Sequence, residues 1–411
     1  MSKLKTAPYG WKLTTLGTFM EFKNGVNADK NAYGSGTEFV NVMDIFKRNF
    51  MKKCNILGKV EITEKQKAEY SVKYGDILFN RTSEVPDEIA FSSVYLDEAE
   101  ITFGGFVIRG RQKKELLDPL FAGYCFNNSS IRREMIRRSQ GVVRANIGQK
   151  DLNKVPILIP PKDEQKKIAS VLALWDDAIA KTEALIAAKE KQFEGLTQKL
   201  FKPNHSWKPY RLGELFDNRK ESNNTDLPLI SITRDKGVIP HSETNRKDNS
   251  SEDKSKYLRI RPNDIGYNTM RMWQGVSALS GIDGIVSPAY TICIPKKIVD
   301  PEFMAFLFKT KPMIHKFYRY SQGLTSDTWN LKFHHFCEVK AEIPDIETQV
   351  EIAQILNTAK QEIDLIKKTL EQYRSQKRGL MQKLITGEWQ VGSTQSASEG
   401  ALQELSKENV A

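Results

Sequence analysis

The stretch Ile159–Leu200, IPPKDEQKKIASVLALWDDAIAKTEALIAAKEKQFEGLTQKL, returns in altered spelling at Ile343–Leu384, IPDIETQVEIAQILNTAKQEIDLIKKTLEQYRSQKRGLMQKL. Steps of four and three residues from Ile168 visit Leu172, Trp175, Ile179, Thr182, Ile186, Lys189, Phe193, Leu196 and Leu200. The same steps from Ile352 visit Leu356, Ala359, Ile363, Ile366, Leu370, Tyr373, Lys377, Leu380 and Leu384. Only Thr182, Lys189 and Lys377 interrupt the two apolar stripes. A stripe sustained over nearly five heptads predicts a coiled-coil seam, on a helix of about 40 residues or roughly 60 Å. A seam that long needs a partner, and the helix written by the other copy is the nearest one. Two copies related by a pseudo-twofold axis would pair these helices antiparallel.

Working outward, the repetition extends over nearly the whole chain. Trp11-Lys12 and Leu16-Gly17 return as Trp207-Lys208 and Leu212-Gly213; Asp118-Pro119-x-Phe121 returns as Asp300-Pro301-x-Phe303. Ser139-Gln140-Gly141 returns as Ser321-Gln322-Gly323, and Gln165 and Ile168-Ala169 as Gln349 and Ile352-Ala353. The order is preserved while the offset drifts, as loops of unequal length require. The chain is therefore two tandem copies of one unit, about 1–201 and 204–388. Each opens on short apolar runs with turn residues between them. These are Phe39-Val-Asn-Val, Ile77-Leu-Phe and Phe106-Val-Ile in the first copy. The second has Leu229-Ile-Ser-Ile, Ile265-Gly-Tyr and Tyr290-Thr-Ile-Cys-Ile. A helix is expected after each Asp-Pro, because Asp caps and Pro suits the first turn. The fold class predicted is α+β: two tandem repeats, each a β-rich domain followed by a long helix. The domain boundaries read as 1–158, 159–203, 204–342 and 343–388, with a disordered tail at 389–411.

The 411 residues carry 62 Lys and Arg against 51 Asp and Glu. The excess sits in two blocks, with 25 cations against 18 anions in 1–160 and 21 against 16 in 204–344. Two basic modules point to a polyanion gripped twice. No apolar run is long enough to cross a bilayer, and MSKLKTAPYGWK lacks the apolar region of a signal peptide. Four scattered cysteines, Cys54, Cys125, Cys293 and Cys337, form no CxxC and read as reduced; the expected location is cytoplasmic. Signatures of catalysis are missing: there is no GxxxxGK[ST] loop and no HExxH. Glu338-Val-Lys340 matches the end of a nuclease site, yet three residues are a cheap match and the first copy has no counterpart. His334, His335 and Cys337 lack a fourth metal ligand in reach. No catalytic residue and no metal site is assigned.

Two β-rich units, each followed by Ile-Pro-x4-Gln-x2-Ile-Ala and a helix closing on Gly-Leu-x-Gln-Lys-Leu, resemble the specificity (S) subunit of type I restriction–modification systems. The resemblance runs from Trp11 to about Trp389; Thr348 stands where the first copy has Glu164. It implies that each β-rich domain is a target recognition domain for one half of a bipartite, asymmetric sequence in double-stranded DNA. It implies that the coiled coil sets the spacer and docks methyltransferase (M) subunits, two per S chain, which methylate adenine N6. Restriction (R) subunits would join the full complex. The chain itself would hold no cofactor, with S-adenosylmethionine on M, and ATP and Mg on R.

Base-edge readers are expected among polar and Arg residues in loops, and phosphate contacts among Lys, Arg, Ser and Thr. In the first copy these are Asn80, Arg81, Thr82 and Ser83, with Arg144 and Asn146 just after Ser-Gln-Gly. The second copy offers Asn268, Arg271, Trp273 and Gln274, then Thr325, Ser326 and Thr328. Arg132, Arg133 and Arg137 on a helix, and Arg319 in the second copy, are candidates to track phosphates. Within the repeated closing phrase, Gln198, Lys199, Gln382 and Lys383 lie off the seam and are candidates for partner docking. Two other readings remain open: a stand-alone bivalent DNA-binding or scaffold protein, and a nuclease with a diverged site.

Overall fold

The computed structural model describes residues 7–46, 48–141, 144–233, 237–244, 253–325 and 328–391. Both long helices form, over Lys162–Leu200 and Ile346–Ile385, with acidic residues in the first turn and a lysine in the last, as the helix dipole favours. All twenty seam positions are buried or half-buried, whereas Leu174, Leu185, Ile355 and Leu365, off the seam, are exposed. By internal packing the chain divides into two units that do not coincide with the two repeats. One comprises the chain up to Thr182 together with everything from Thr369 onward; the other is Glu183–Lys368. Each unit therefore holds one β-rich domain, the opening half of the helix that follows it, and the closing half of the helix from the other repeat.

In the first unit, Lys12–Thr15 pairs antiparallel with Pro156–Ile159, with Lys12 opposite Ile159. A five-stranded sheet follows in the order Met20–Asn24, Val107–Gln112, Ile77–Asn80, Ser92–Tyr95, Phe50–Met51. The helices Pro119–Phe126 and Ser129–Arg138 cover one face, capped by Asp118 and Asn128 side chains. Leu384 and Ile385, from the closing half of the second helix, share one core with Ile168 and Leu172. Trp175 meets Tyr373 edge-on at 5.7 Å. Residue numbers rise along one helix as they fall along the other, so the pairing within this unit is antiparallel.

The second unit repeats the plan on its own sequence. Lys208–Arg211 pairs with Lys340–Ile343, again with the lysine opposite the isoleucine. Its sheet runs Phe216–Asn218, Tyr290–Pro295, Ile265–Asn268, Ser277–Leu279. Helix Pro301–Leu307 is capped by Asp300 and helix Lys311–Tyr320 by Thr310. Phe193, Leu196 and Leu200 pack on the core that contains Ile352 and Leu356, and Lys189 pairs with Glu362 at 2.6 Å. The two lysines on the predicted seams thus have partners, since Lys377 pairs with Asp176 in the first unit.

The repeated Gln of Ile-Pro-x4-Gln has a structural role that the sequence did not reveal. Gln165 is fully buried; its Oε1 accepts from Asp118 N at 2.7 Å, and its Nε2 donates to the carbonyls of Leu116 and Pro160, both at 2.9 Å. Gln349 does the same with Asp300 N at 2.9 Å, Ile298 O at 3.2 Å and Pro344 O at 2.9 Å. One amide satisfies three backbone groups where a loop meets two helix starts.

Two local expectations are corrected. The strand expected over Phe39–Val42 stops at Val40, because Asn41 Oδ1 accepts from Met43 N and Asp44 Oδ2 accepts from Asn41 N, both at 2.9 Å. That capping box turns the chain into a short helix. Of the expected tail, residues 389–391 are ordered parts of the first unit. Trp389 N donates to Lys383 O at 3.2 Å, its ring lies 4.0 Å from the Lys383 ammonium, and Val391 packs on the core. Residues 392–411 lie outside the described residues. Among the described residues no helix is long and apolar enough to cross a membrane.

Candidate nucleic-acid interface

In each unit, the two loops selected from sequence are brought together by backbone pairing. In the first, Thr82–Ser83 pairs with Ala145–Asn146, Gln140 bridges Asn146, and Ile147 N donates to Arg81 O at 3.0 Å. In the second, Gln322 bridges Asn330 and Leu331 N donates to Thr269 O at 2.8 Å. The glycine of Ser-Gln-Gly makes both returns possible. Gly141 has φ +110° and Gly323 φ +151°, and a Cβ would lie 2.3 Å from Arg144 O or 2.7 Å from Thr328 O. No L side chain tolerates that conformation at that distance.

Asn80 is not a reader. It is fully buried at the end of its strand, where Nδ2 donates to Glu88 O at 3.0 Å and Oδ1 accepts from Thr82 N at 3.2 Å. Its role is to turn the chain, and Asn268 does likewise by accepting from Met270 N at 3.0 Å. Arg81 is half-buried and donates to Gly105 O at 3.2 Å. Thr82 Oγ1 donates to Asn146 Oδ1 at 2.6 Å, and Ser83 Oγ to Glu88 at 3.0 Å. Arg144 is more than half exposed, and among the described residues its guanidinium is held by a still more open Glu84, 2.8 Å away. Such a pair is worth about 0–1 kcal/mol, so a phosphate or a guanine edge can take the guanidinium over.

Arg132 is likewise removed from the set of phosphate contacts. It is buried, lies 3.8 Å over the Phe91 ring, and donates to Asp87 O. Burial brings its pKa down to about 10. The helical repeat places Arg133 and Arg137, four residues apart, together on the exposed face instead. Among the described residues Arg133 bonds only the Ser129 carbonyl of its own helix, while Arg137 and Arg138 share the single carboxylate of Glu134, leaving net positive charge on that face.

In the second unit Arg271, Gln274 and Arg319 are exposed, and Arg271 and Gln274 make no side-chain hydrogen bond or ion pair among the described residues. Trp273 is a buttress: its Nε1 donates to Met270 O at 3.0 Å and its ring meets Trp329 edge-on at 5.1 Å, which in turn meets Tyr318 at 4.9 Å. Thr325 and Thr328 close a turn, with Thr325 N donating to Thr328 Oγ1 at 3.1 Å. Ser326 lies outside the described residues. Leu324 stands fully exposed at the tip.

Sequence reasoning missed a cleft beside this loop, lined by Gln322, Thr328, Asn330, Lys332, His334 and His335. The signal was Lys332-x-His-His, four residues after Thr328, of which the sequence reading weighed only the two histidines, with Cys337, as a metal site. Burial, then the neighbouring His334 and Lys332, push His335 below the usual histidine range. Among the described residues no three His, Cys, Asp or Glu side chains are placed to share a metal ion. Glu338, of the nuclease-like match, is ion-paired with Arg211.

Of the docking candidates, Gln198 and Lys199 are exposed, whereas Gln382 and Lys383 are half-buried. Gln382 accepts from Ser129 Oγ and donates to Ser130 Oγ at 2.8 Å, so its amide serves the helix start at Ser129. Lys383 is taken by the Trp389 ring.

Two units of one plan, each offering paired polar loops on a basic domain and carrying long-helix segments, have the form of a tandem nucleic-acid-recognition protein. A sequence profile of the type I restriction modification DNA specificity domain matches residues 8–190 and again 204–373, and the chain belongs to that family. Specificity subunits of these systems are non-catalytic DNA-recognition subunits. The chain is 24% identical to a putative type I restriction enzyme MjaX specificity subunit of Methanocaldococcus jannaschii, covering 93% of this chain and 95% of that one. It is 21% identical to the MjaVIII specificity subunit of the same organism, covering 93% and 94%. Among solved structures it resembles the S subunit of a type I restriction–modification system from M. genitalium, with TM-score 0.52 and 16% identity over 94% of this chain and 99% of that one. The HsdS subunit from Thermoanaerobacter tengcongensis gives TM-score 0.53 and 14% identity over the same shares.

Proposed function

We propose that each β-rich domain reads one half of a bipartite, asymmetric DNA target. The observation that carries this is the convergence, in both units, of the loop after Asn80 or Asn268 with the loop after Ser-Gln-Gly. The backbone frame of that convergence repeats, but the exposed side chains differ: Arg144 and Asn146 in one, Arg271, Gln274 and Thr325 in the other. Different readers on one frame fit two unlike half-sites. Each correctly read base pair contributes about 1–3 kcal/mol of discrimination, and tethering makes the second engagement intramolecular. Arg133, Arg137 and Arg319 supply phosphate contacts that position without specifying.

The long helices set the spacer between half-sites and carry the docking surface for M subunits, two per chain, which methylate adenine N6 with S-adenosylmethionine. Exposed Gln198 and Lys199, with the exposed apolar residues Leu185, Ile355 and Leu365 on the long-helix segments of the same unit, are the surface proposed for that docking. R subunits, using ATP and Mg, complete the restriction complex. Genome-wide mapping of N6-methyladenine with and without this gene tests the reading. One bipartite motif should vanish with the gene, and an M subunit should copurify with the chain. An unchanged methylome, with the chain purifying alone, would instead favour a free-standing bivalent binder.

A further inference from the structure

The two helix pairings differ at one matched position, and the difference has the form of a pairing code. In the first unit Asp176 accepts the phenol proton of Tyr124 at 2.8 Å and pairs with the ammonium of Lys377, which lies 5.4 Å from the Tyr124 ring centroid. Lys377 keeps only 16% of its side chain exposed. Burial first, then Asp176, hold the Tyr124 phenol well above its usual range, so it remains a donor. In the repeat alignment Tyr124 corresponds to Phe306, Asp176 to Lys360 and Lys377 to Phe193. In the second unit Phe193 and Phe306 meet at 6.3 Å, and Lys360 is exposed. A hydrogen-bonded charge triad in one unit is therefore an aromatic pair in the other.

Tandem repeats face a choice that single domains do not, because each helix also matches the same helix of a second copy. Pairing the first helix with its counterpart in another chain would set Phe193 against Tyr124 and Asp176, leaving the carboxylate without its cation. Pairing the second helix with its counterpart would set Lys377 against Phe306 and Lys360, two cations with no anion. The first error leaves a half-open carboxylate without its cation and the second a largely buried ammonium without its anion, while the observed pairing satisfies both. The adjacent layer acts in the same sense. Trp175 and Tyr373 correspond to Ala359 and Lys189, so like-with-like pairing would also separate Lys189 from Glu362.

We propose that Tyr124, Asp176 and Lys377, set against Phe193, Phe306 and Lys360, are a specificity device that makes each helix reject a second copy of itself and accept the other repeat. The test uses full-length chains refolded from denaturant over a range of concentrations. Their mass is followed by sedimentation, and a spin label at Ala184→Cys in a Cys54→Ser background reports on pairing. Like-with-like pairing brings residues 182–184 of two copies together, giving short-range dipolar coupling between labels.

Two opposite changes erase the code. Tyr124→Phe, Asp176→Lys and Lys377→Phe make both units aromatic, and Phe193→Lys, Phe306→Tyr and Lys360→Asp put the triad in both. Either erased chain should form label-coupled dimers at least about tenfold more readily than the native chain, a tenfold change corresponding to about 1.4 kcal/mol. All six changes together exchange the code without erasing it, and that chain should stay monomeric. The proposal fails if the erased chains refold as monomers like the native one. It also fails if the six-fold variant dimerises as they do, since the effect would then be simple destabilisation.

Discussion

Replacing Gln165 tests whether the repeated motif is a structural staple or a docking element. The side chain is fully buried and joins three backbone groups, Asp118 N, Leu116 O and Pro160 O, for which it is the hydrogen-bond partner among the described residues. Each such bond contributes about 0.5–1.5 kcal/mol net, so Gln165→Ala should cost about 3 kcal/mol. For a unit of roughly 200 residues that is a fall of about 6–12 °C in its melting temperature. Gln165→Glu is the sharper probe. It keeps the size and the acceptor, but its carboxylate cannot donate and would face two carbonyls, so it should be at least as damaging as alanine. Thermal unfolding gives the total effect, and hydrogen exchange by mass spectrometry localises it. Protection should fall around residues 116–126 while residues 298–308 are unaffected, and Gln349→Ala should give the converse. A Gln165→Glu protein as stable as the native chain, or an alanine loss below about 1 kcal/mol, would refute the staple.

Gly323→Ala should disable the second half-site without lowering overall stability by more than about 3 kcal/mol, because strain at φ +151° falls on the loop that holds Thr325. Competition binding with DNA altered in one half-site at a time reads this out, and equal losses at both would contradict it. Arg271→Ala should cost about 1–3 kcal/mol and relax the preference at one base pair, whereas Arg133→Ala should weaken all sequences alike and flatten the salt dependence. A heptad added to both long helices lengthens each by about 10 Å, so the tolerated spacer should grow by about 3 base pairs with the half-sites unchanged. Arg259 holds Glu221 and Asp283, whose pKa values are both lowered chiefly by its hydrogen bonds. A carboxylate with a depressed folded pKa contributes stability above its unfolded pKa and loses it as pH falls through the folded value. Acid should therefore weaken the second unit below about pH 4, and Arg259→Gln should flatten that dependence in pH-titrated urea melts.

What was legible in the sequence follows from which interactions are periodic. The seam could be found because burial along a helix recurs every three to four residues, and every seam position is indeed covered. Asp118 and Asp300 were legible because a cap acts on its own next turn. Gln165 was visible as a repeated letter but not as a staple, because its three partners lie 5, 47 and 49 residues away and no local pattern encodes them. The same limit misplaced Asn80 and Arg132: a polar residue looks alike in sequence whether it faces water or satisfies a buried carbonyl. That each long helix takes its partner from the other repeat was legible from the length of the seam; where along the helices the packing units divide was not. A repeat is read along the chain, but a helix that needs a partner takes one from the other repeat, so the packing unit is cut across the sequence unit. That crossing also separates two kinds of constraint on the repeated letters. Residues serving their own domain, such as the Asp-Pro caps, the staple glutamines and the glycines of Ser-Gln-Gly, meet the same demand in both copies and stay alike. Residues at the matched pairing position meet the other copy, and identity there would make the wrong partner as good as the right one. Lys377 and Phe193 differ for that reason, and the interruption of the apolar stripe at Lys377 is part of what tells the two helices apart.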